Sequence, residues 1–172
     1  MFRKATVSDI DAITLLYDAI HTEEEHGRTS TGWKRGIYPT RTTAEAAVKL
    51  GEMFVFESDG NILAAAKINQ TQEKEYATIN WKKTSPDNKV MVIHTLVVSP
   101  EHKGKGIGTA FVKFYESYAV EHGCDCLRMD TNENNSTARA LYKKLGYTET
   151  GVIPTVFNGI PGVNLVCLEK SL

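Results

Sequence analysis

The sequence predicts a mixed α/β domain built around one central sheet, and three observations lead there. Short apolar runs of strand length fill the first half, and two of them, "MFVFES" and "NILAAAKIN", flank Asp59-Gly60, the signature of a hairpin closed by a type I′ turn. In the second half, strand-like runs alternate with stripes at helical spacing. Between the halves lies a strand–loop–helix–strand unit, Met91 to Asp130.

Taken in order, "FRKAT" reads as a short opening strand. Ser8 is placed to cap a helix whose buried face is Ile10, Ile13, Leu16, Tyr17 and Ile20. His21 to Thr43 is polar and turn-rich, with Trp33 and Tyr38 set in it, and a loop of that length is usually functional or mobile. Thr42 with Glu45 forms a capping-box pattern that opens a short helix, "TAEAAVKL". After the hairpin, "EYATINW" is either a further strand or a long loop. Met91 to Val98 is a buried strand, followed by a helix from about Gly106 to His122 with the stripe Ile107, Phe111, Phe114, Tyr115 and Tyr118. "CLRMD" is a strand, and Ser136 to Leu145 is a helix stopped by Gly146. "YTETGVI" and "VNLVCLEK" complete the sheet, joined by the loop "PTVFNGIPG". No repeat or linker divides the chain, so residues 1–172 read as one domain.

Composition narrows the function. A chain of 172 residues, 41% hydrophobic and 24% charged, is that of a soluble globular protein. A net charge of -1 supplies no global field for nucleic acid or an anionic membrane. No apolar run approaches the roughly 20 residues that span a bilayer, and no apolar stretch follows the basic residues of the N-terminus. Cys124, Cys126 and Cys167, an odd number without an export signal, fit reduced thiols in the cytoplasm. Cys124 and Cys126 form C-x-C without the second pair that a zinc site needs, so no metal is expected.

The informative stretch is "LVVSPEHKGKGIGTAF", Leu96 to Phe111, where three glycines loosen the backbone between a buried strand and a helix. A P-loop does not fit, because Gly106 follows Gly104-Lys105 and Ser99 stands where its first glycine belongs. A dinucleotide fingerprint needs G-x-G-x-x-G directly after its strand. Here the pattern is G-x-G-x-G, five residues separate Val98 from Gly104, and Asp130 alone sits where a ribose-binding acid would. A run of backbone amides from Lys103 to Thr109 at a helix start suits a pyrophosphate, with Lys103 and Lys105 adding charge at the rim.

Leu96, Val98 and Pro100, then Lys103-Gly104-Lys105-Gly106-Ile107-Gly108, resemble the acetyl-CoA signature L-x-V-x-P-x-x-[RQ]-x-x-G-x-G/A of the GNAT superfamily of N-acetyltransferases, with Lys103 where Arg or Gln is usual. "NSTARALYKKLGY", Asn135 to Tyr147, is similar to that family's N-x-x-A-x-x-x-Y-x-x-x-G-[FY]. The resemblance implies a mostly antiparallel sheet of six to seven strands, splayed at the middle and flanked by about four helices. It implies an acetyl-CoA-dependent enzyme that moves the acetyl group directly to a primary amine, on a small molecule or a protein, within a ternary complex. The cofactor-binding residues would be Leu96, Val97, Val98, Lys103, Gly104, Lys105, Gly106, Ile107, Gly108, Thr109, Asn135 and Tyr142. The pantetheine arm would lie between the strands Met91–Val98 and Leu127–Asp130, pairing with backbone of Leu96 and Val98 and reached by the Asn135 amide. Tyr142 would protonate the leaving thiolate, and the backbone N–H of Leu96 would meet the oxyanion.

An amine with a pKa of ~10.4 must lose a proton at a cost of roughly 4–5 kcal/mol at neutral pH, so a base is valuable. His94, two residues before Leu96, is expected on the same side of the strand and is the candidate base. The resemblance implies that the acceptor lies between His21–Thr43 and Pro154–Gly162. Glu24, among Glu23 to Glu25, would attract a cationic amine, and Trp33, Tyr38 and Phe157 would wall the pocket. Homodimers are common in the family, and the sequence itself marks no interface. Two rivals remain: a non-catalytic acyl-CoA sensor of the same fold, and an oxidoreductase using Asp130 at a ribose.

Overall fold

The computed structural model describes all 172 residues. Seven strands, β1 (Phe2–Lys4), β2 (Met53–Ser58), β3 (Asn61–Asn69), β4 (Val90–Val98), β5 (Cys126–Asn132), β6 (Thr148–Phe157) and β7 (Ile160–Ser171), form one sheet in the order β1-β2-β3-β4-β5-β7-β6. Every neighbouring pair is antiparallel except β4 and β5. Four helices cover it: α1 (Ile10–Glu25), α2 (Arg41–Lys49), α3 (Ile107–Glu121) and α4 (Ser136–Lys144). The mixed fold expected from the sequence is therefore the one observed. On one face Ile13, Leu16 and Tyr17 of α1 and Ala44 and Ala47 of α2 meet Met53, Val55, Ala65 and Val97. On the other, Phe111 and Tyr115 of α3 and Tyr142 of α4 pack with Phe54, Ala66, Ile93, Leu127 and Met129. Each large side chain so buried contributes about 1.5–3 kcal/mol. No helix is long and apolar enough to cross a membrane.

Several local expectations are corrected. The first helix is capped from Thr6 and not from Ser8: the Thr6 N–H and hydroxyl donate to Asp9 Oδ2 at 2.7 and 2.9 Å. Arg3 of β1 already holds that carboxylate with a two-pronged grip of 2.7 and 2.8 Å, so the strand dictates where the turn begins. Helix α1 continues through His21 to Glu25, residues expected in the loop, where buried His21 hydrogen-bonds through Nε2 to the Pro39 carbonyl at 2.9 Å. Helix α2 opens at Thr40, whose N–H donates to Thr43 Oγ1 at 3.0 Å, while Glu45 pairs with Arg41 instead. "EYATINW" forms no strand; it contains a 3-10 turn, Lys74–Thr78, which sets Tyr76 and Trp81 edge to face over Val90, Val92, Cys126 and Cys167. The expected loop "PTVFNGIPG" is also mostly strand. β6 and β7 run on to a two-residue turn, Asn158-Gly159, with φ of +47° and +83°. Pro154 is tolerated because β6 is an edge strand.

Two irregularities in β4 shape the middle of the molecule. Its parallel pairing with β5 covers only Val90↔Cys126, Met91↔Leu127 and Val92↔Arg128, after which the strands part. At the fork the Tyr115 hydroxyl stands 2.6 Å from the Met91 carbonyl and 3.1 Å from that of Arg128. Second, the register with β3 slips from Lys67↔His94 to Ala65↔Val97, so that Ala66 opposes both Thr95 and Leu96, with Thr95 at φ +54°. The bulge reverses the alternation of side chains. Met91 and Ile93 face α3 before it, and Leu96 and Val98 face α3 after it. His94 therefore lies on the opposite face from Leu96, with Val90 and Val92, contrary to a reading that assumed an unbroken strand.

Candidate active site

The segment after β4 is built as a bare ledge. A 3-10 turn, Pro100–His102, delivers the chain to Gly104 and Gly106, both at φ +81°, a conformation that side chains with a Cβ resist. The predicted unbroken run of free amides is interrupted, because Lys103 and Lys105 donate to the carbonyls of Pro100 and His102 at 3.1 and 3.3 Å to close the turns. The amides of Gly104 and Gly106 have no backbone partner, and those of Ile107, Gly108 and Thr109 are the orphan donors of a helix start. A Cβ placed on Gly104 or Gly106 would meet nothing of the protein within 4 Å, so these residues face open space rather than packed neighbours. That fits an anion seated on the amides at the positive end of α3.

The open space is a cleft of about 480 Å³. Of the residues expected at a cofactor, Leu96, Val97, Val98, Lys103, Gly104, Gly106, Ile107, Gly108, Thr109, Asn135 and Tyr142 line it, and Lys105 does not. Asn135 caps α4, its Oδ1 accepting from the Ala138 N–H at 3.1 Å, which leaves its amide nitrogen without a partner. Arg28, His102, Thr137 and Lys144 also line the cleft; of these Arg28 is already held by Glu23 at 2.6 Å.

A smaller cavity of about 90 Å³ opens between the parted strands. Trp33, Tyr38 and Phe157, the three aromatics expected at the acceptor, do meet there, in edge-to-face contacts of 5.9 Å (Trp33–Tyr38) and 5.3 Å (Tyr38–Phe157). The Tyr38 hydroxyl hydrogen-bonds to that of Thr95 on the bulge, and burial pushes its pKa up to about 12. Glu24 is not in the cavity. Its carboxylate instead accepts from the Thr31 N–H and hydroxyl, both at 2.8 Å, and the Gly32 N–H at 2.9 Å, folding the turn that presents Trp33. Glu23 and Glu25 are likewise paired, with Arg28 and Arg35.

His94 reaches the cavity wall, but its ring is engaged on both sides. Nε2 lies 3.0 Å from Asn69 Oδ1, whose amide is oriented by bonds to Glu52 and the Thr71 N–H, and Nδ1 lies 3.2 Å from Glu73 Oε1. An incoming amine finds neither nitrogen free, so the expectation of His94 as base is not supported by the geometry. The same hydrogen bond holds the Glu73 carboxyl below the usual range. Asp130, two residues before the end of β5, shares the cavity. Its Oδ2 accepts from the Tyr76 hydroxyl at 2.8 Å, and burial pushes its pKa up to about 6 despite that bond. Tyr142 lines both cavities; burial, with Asp130 nearby, raises its pKa well above that of a free phenol, so it keeps its proton at neutral pH.

The raised pKa of Asp130 has a consequence for stability. The folded state holds this proton more tightly than the unfolded chain, so stability is greatest below the unfolded value near 4 and falls as pH rises through about 6. Asp130→Asn is expected to remove that fall, making the variant more stable than the parent at pH 8 by up to roughly 3 kcal/mol. Urea unfolding at pH 5 and pH 8 measures it; an equal destabilisation at both values would contradict the assignment.

Residues 16–147 match the sequence profile of the acetyltransferase (GNAT) family. The chain belongs to this family. Among relatives of this GNAT chain, an uncharacterised N-acetyltransferase of Bacillus subtilis is 23% identical over 157 residues, 91% of this chain and 95% of that protein. A streptothricin acetyltransferase of Escherichia coli is 34% identical over 65 residues, 38% of this chain and 37% of that one. Among solved structures, a GNAT acetyltransferase from Streptococcus agalactiae superposes with a TM-score of 0.82 at 26% identity, covering 100% of this chain and 95% of its own. An acetyltransferase from Salmonella typhimurium, solved with acetyl-CoA, has a TM-score of 0.69 at 22% identity, covering 100% and 93%.

Sequence reasoning missed Glu73 in this cavity and the place of Asp130 beside the aromatic residues. Asp130 was recoverable: it lies near the end of the strand that borders the gap. Nothing local to Glu73 signals it, since it enters from the irregular segment between β3 and β4.

Proposed function

We propose that this protein transfers the acetyl group of acetyl-CoA directly to a primary amine, the two substrates being bound together. The observation that carries the reading is that the cleft and the aromatic cavity share a wall made of Thr31, Trp33, Leu96, Asn135, Ala138 and Tyr142. A thioester lying in the one would meet an amine held in the other. The pyrophosphate is held by the amides of Gly104, Gly106, Ile107, Gly108 and Thr109, with Lys103 at the rim. The pantetheine arm runs along β4 beyond Val92, where the β5 side of the strand has no partner. Each hydrogen bond there is worth only ~0.5–1.5 kcal/mol, so the ledge and apolar contacts supply the rest. Acetyl-CoA supplies an acyl carbon and a thiol leaving group. The Leu96 N–H stabilises charge on the acyl oxygen, and Tyr142 gives its proton to the departing sulfur.

Calorimetric titration of acetyl-CoA followed by thiol release across an amine panel tests this. Tight binding with amine-dependent release is expected, and Tyr142→Phe should lower kcat by ~100-fold while leaving the acetyl-CoA Kd within a few-fold. Binding without release by any amine would convert the site to a sensor, and absence of binding would overturn the cofactor reading.

A further inference from the structure

We propose that Asp130 takes the proton from the acceptor, and that the cavity it borders is built for a primary ammonium with no carboxylate beside its nitrogen. The proposal rests on the acetyl-transfer reading above and specifies its acceptor.

The charge of the cavity decides the class. Two carboxylates, Asp130 and Glu73, line it, and no lysine or arginine does. The one group that can carry positive charge, His94, is engaged with Glu73 and Asn69. Trp33, Tyr38 and Phe157 add aromatic faces, whose electron density suits a cation, to a wall otherwise of uncharged polar and aliphatic groups. An α-carboxylate entering here would lose its water beside two carboxylates and find no lysine or arginine to pair with. An alkylammonium finds carboxylates and rings. A volume of about 90 Å³ admits the amine-bearing end of a chain and leaves the remainder outside.

Asp130 rather than Glu73 is placed for the proton. Glu73 is committed to His94. Asp130 gives Oδ2 to the Tyr76 hydroxyl, while Oδ1 receives no protein donor and is not sealed from the cavity. The titratable groups facing it are His94 of β4, Glu73, Glu75 and Tyr76 of the segment before β4, Tyr38, Tyr142 of α4 and Cys167 of β7. Of these only His94 opposes its negative charge, and burial accordingly narrows the gap in proton affinity between this carboxylate and an amine.

The step balances. The ammonium N–H proton passes to Asp130 Oδ1, and the freed nitrogen lone pair attacks the acyl carbon. As the C–S bond breaks, the sulfur takes the Tyr142 proton; the nitrogen's second proton restores Tyr142, and Asp130 releases its proton to solvent. The sum is ammonium plus acetyl-CoA giving amide, free thiol and one proton.

The test uses the whole protein with matched probes, 2-aminopropan-1-ol against alanine and ethanolamine against glycine. The carboxylate-free member of each pair should have the higher kcat/KM by ~100-fold. The kcat/KM profile should rise with pH through an apparent value near 6, a limb that Asp130→Asn lacks, with kcat lowered ~100- to 1,000-fold and acetyl-CoA affinity within a few-fold of the parent. Preference for the amino acids, no turnover of any carboxylate-free probe, or an Asp130→Asn variant that keeps the limb and its rate would each overturn the proposal. These wild-type comparisons stand even if the variant misfolds. Failure of the parent to bind acetyl-CoA would strike the acetyl-transfer reading instead.

Discussion

Gly106→Val is expected to abolish acetyl-CoA binding while the sheet and its helices remain. Gly106 sits at φ +81° as the residue that caps α3, and valine, branched at Cβ, is strained there by about 1–3 kcal/mol. That is a fraction of the 5–15 kcal/mol that holds an ordinary domain together, and a Cβ added here meets no other part of the protein within 4 Å. Its isopropyl group would instead stand in the cleft beside the unpaired amides of the ledge. Relief of the strain by rotation would swing the Gly104 and Gly106 amides apart, so both responses damage the same ledge. The loss of affinity should exceed ~100-fold by calorimetry, with circular dichroism unchanged. Lys105→Ala is the matched control, because Lys105 lies outside the cleft; its affinity should stay within ~3-fold. A Gly106→Val protein that binds normally would show that the ledge is not the anion site.

The parts of this site that were legible in the sequence are those governed by local chemistry. Alternating glycines after a buried strand encode a backbone that only glycine adopts, and the structure places Gly104 and Gly106 in that conformation. The Asp59-Gly60 turn and the α3 stripe were legible for the same reason: the signal lies within a few residues of the structure it specifies. What failed depended on distant partners. Ser8 looked like a cap, yet Thr6 caps because Arg3 pins Asp9. His94 was assigned the wrong face because a bulge at Thr95, set by pairing with β3, has no local mark in "VIHTLVV". Glu24 looked like a ligand group because the turn it folds lies seven and eight residues away. Helix α1 overran its expected end because His21 gains a partner, the Pro39 carbonyl, only in the folded chain.

Arg128→Ala is expected to destabilise the fold strongly, and to act selectively on the side of the aromatic cavity. Arg128 on β5 and Glu169 on β7 are buried neighbours, bonded at 3.1 and 3.2 Å. The guanidinium also donates to Gln72 Oε1 at 2.6 Å and to the Lys83 carbonyl at 2.9 Å, and stacks over Trp81 at 4.1 Å. Glu169 Oε1 in turn accepts from the Lys83 N–H at 3.0 Å. One ion pair thus clamps both ends of the irregular segment that carries Glu73 to the cavity wall and the Tyr76 hydroxyl to Asp130. Truncation leaves Glu169 as an unpaired buried charge, which costs about 3–5 kcal/mol, read as a lower urea midpoint at unchanged slope. Amides between Gln72 and Lys83 should then exchange faster than those of β3 and α3, because the segment loses its fastening before the sheet loses its core. In the surviving folded population Tyr76 no longer braces Asp130, so the acceptor KM should rise while the acetyl-CoA Kd holds, since no cleft residue belongs to the clamp. Equal loss on both sides of the site would show that the segment stiffens the whole sheet rather than the acceptor pocket alone.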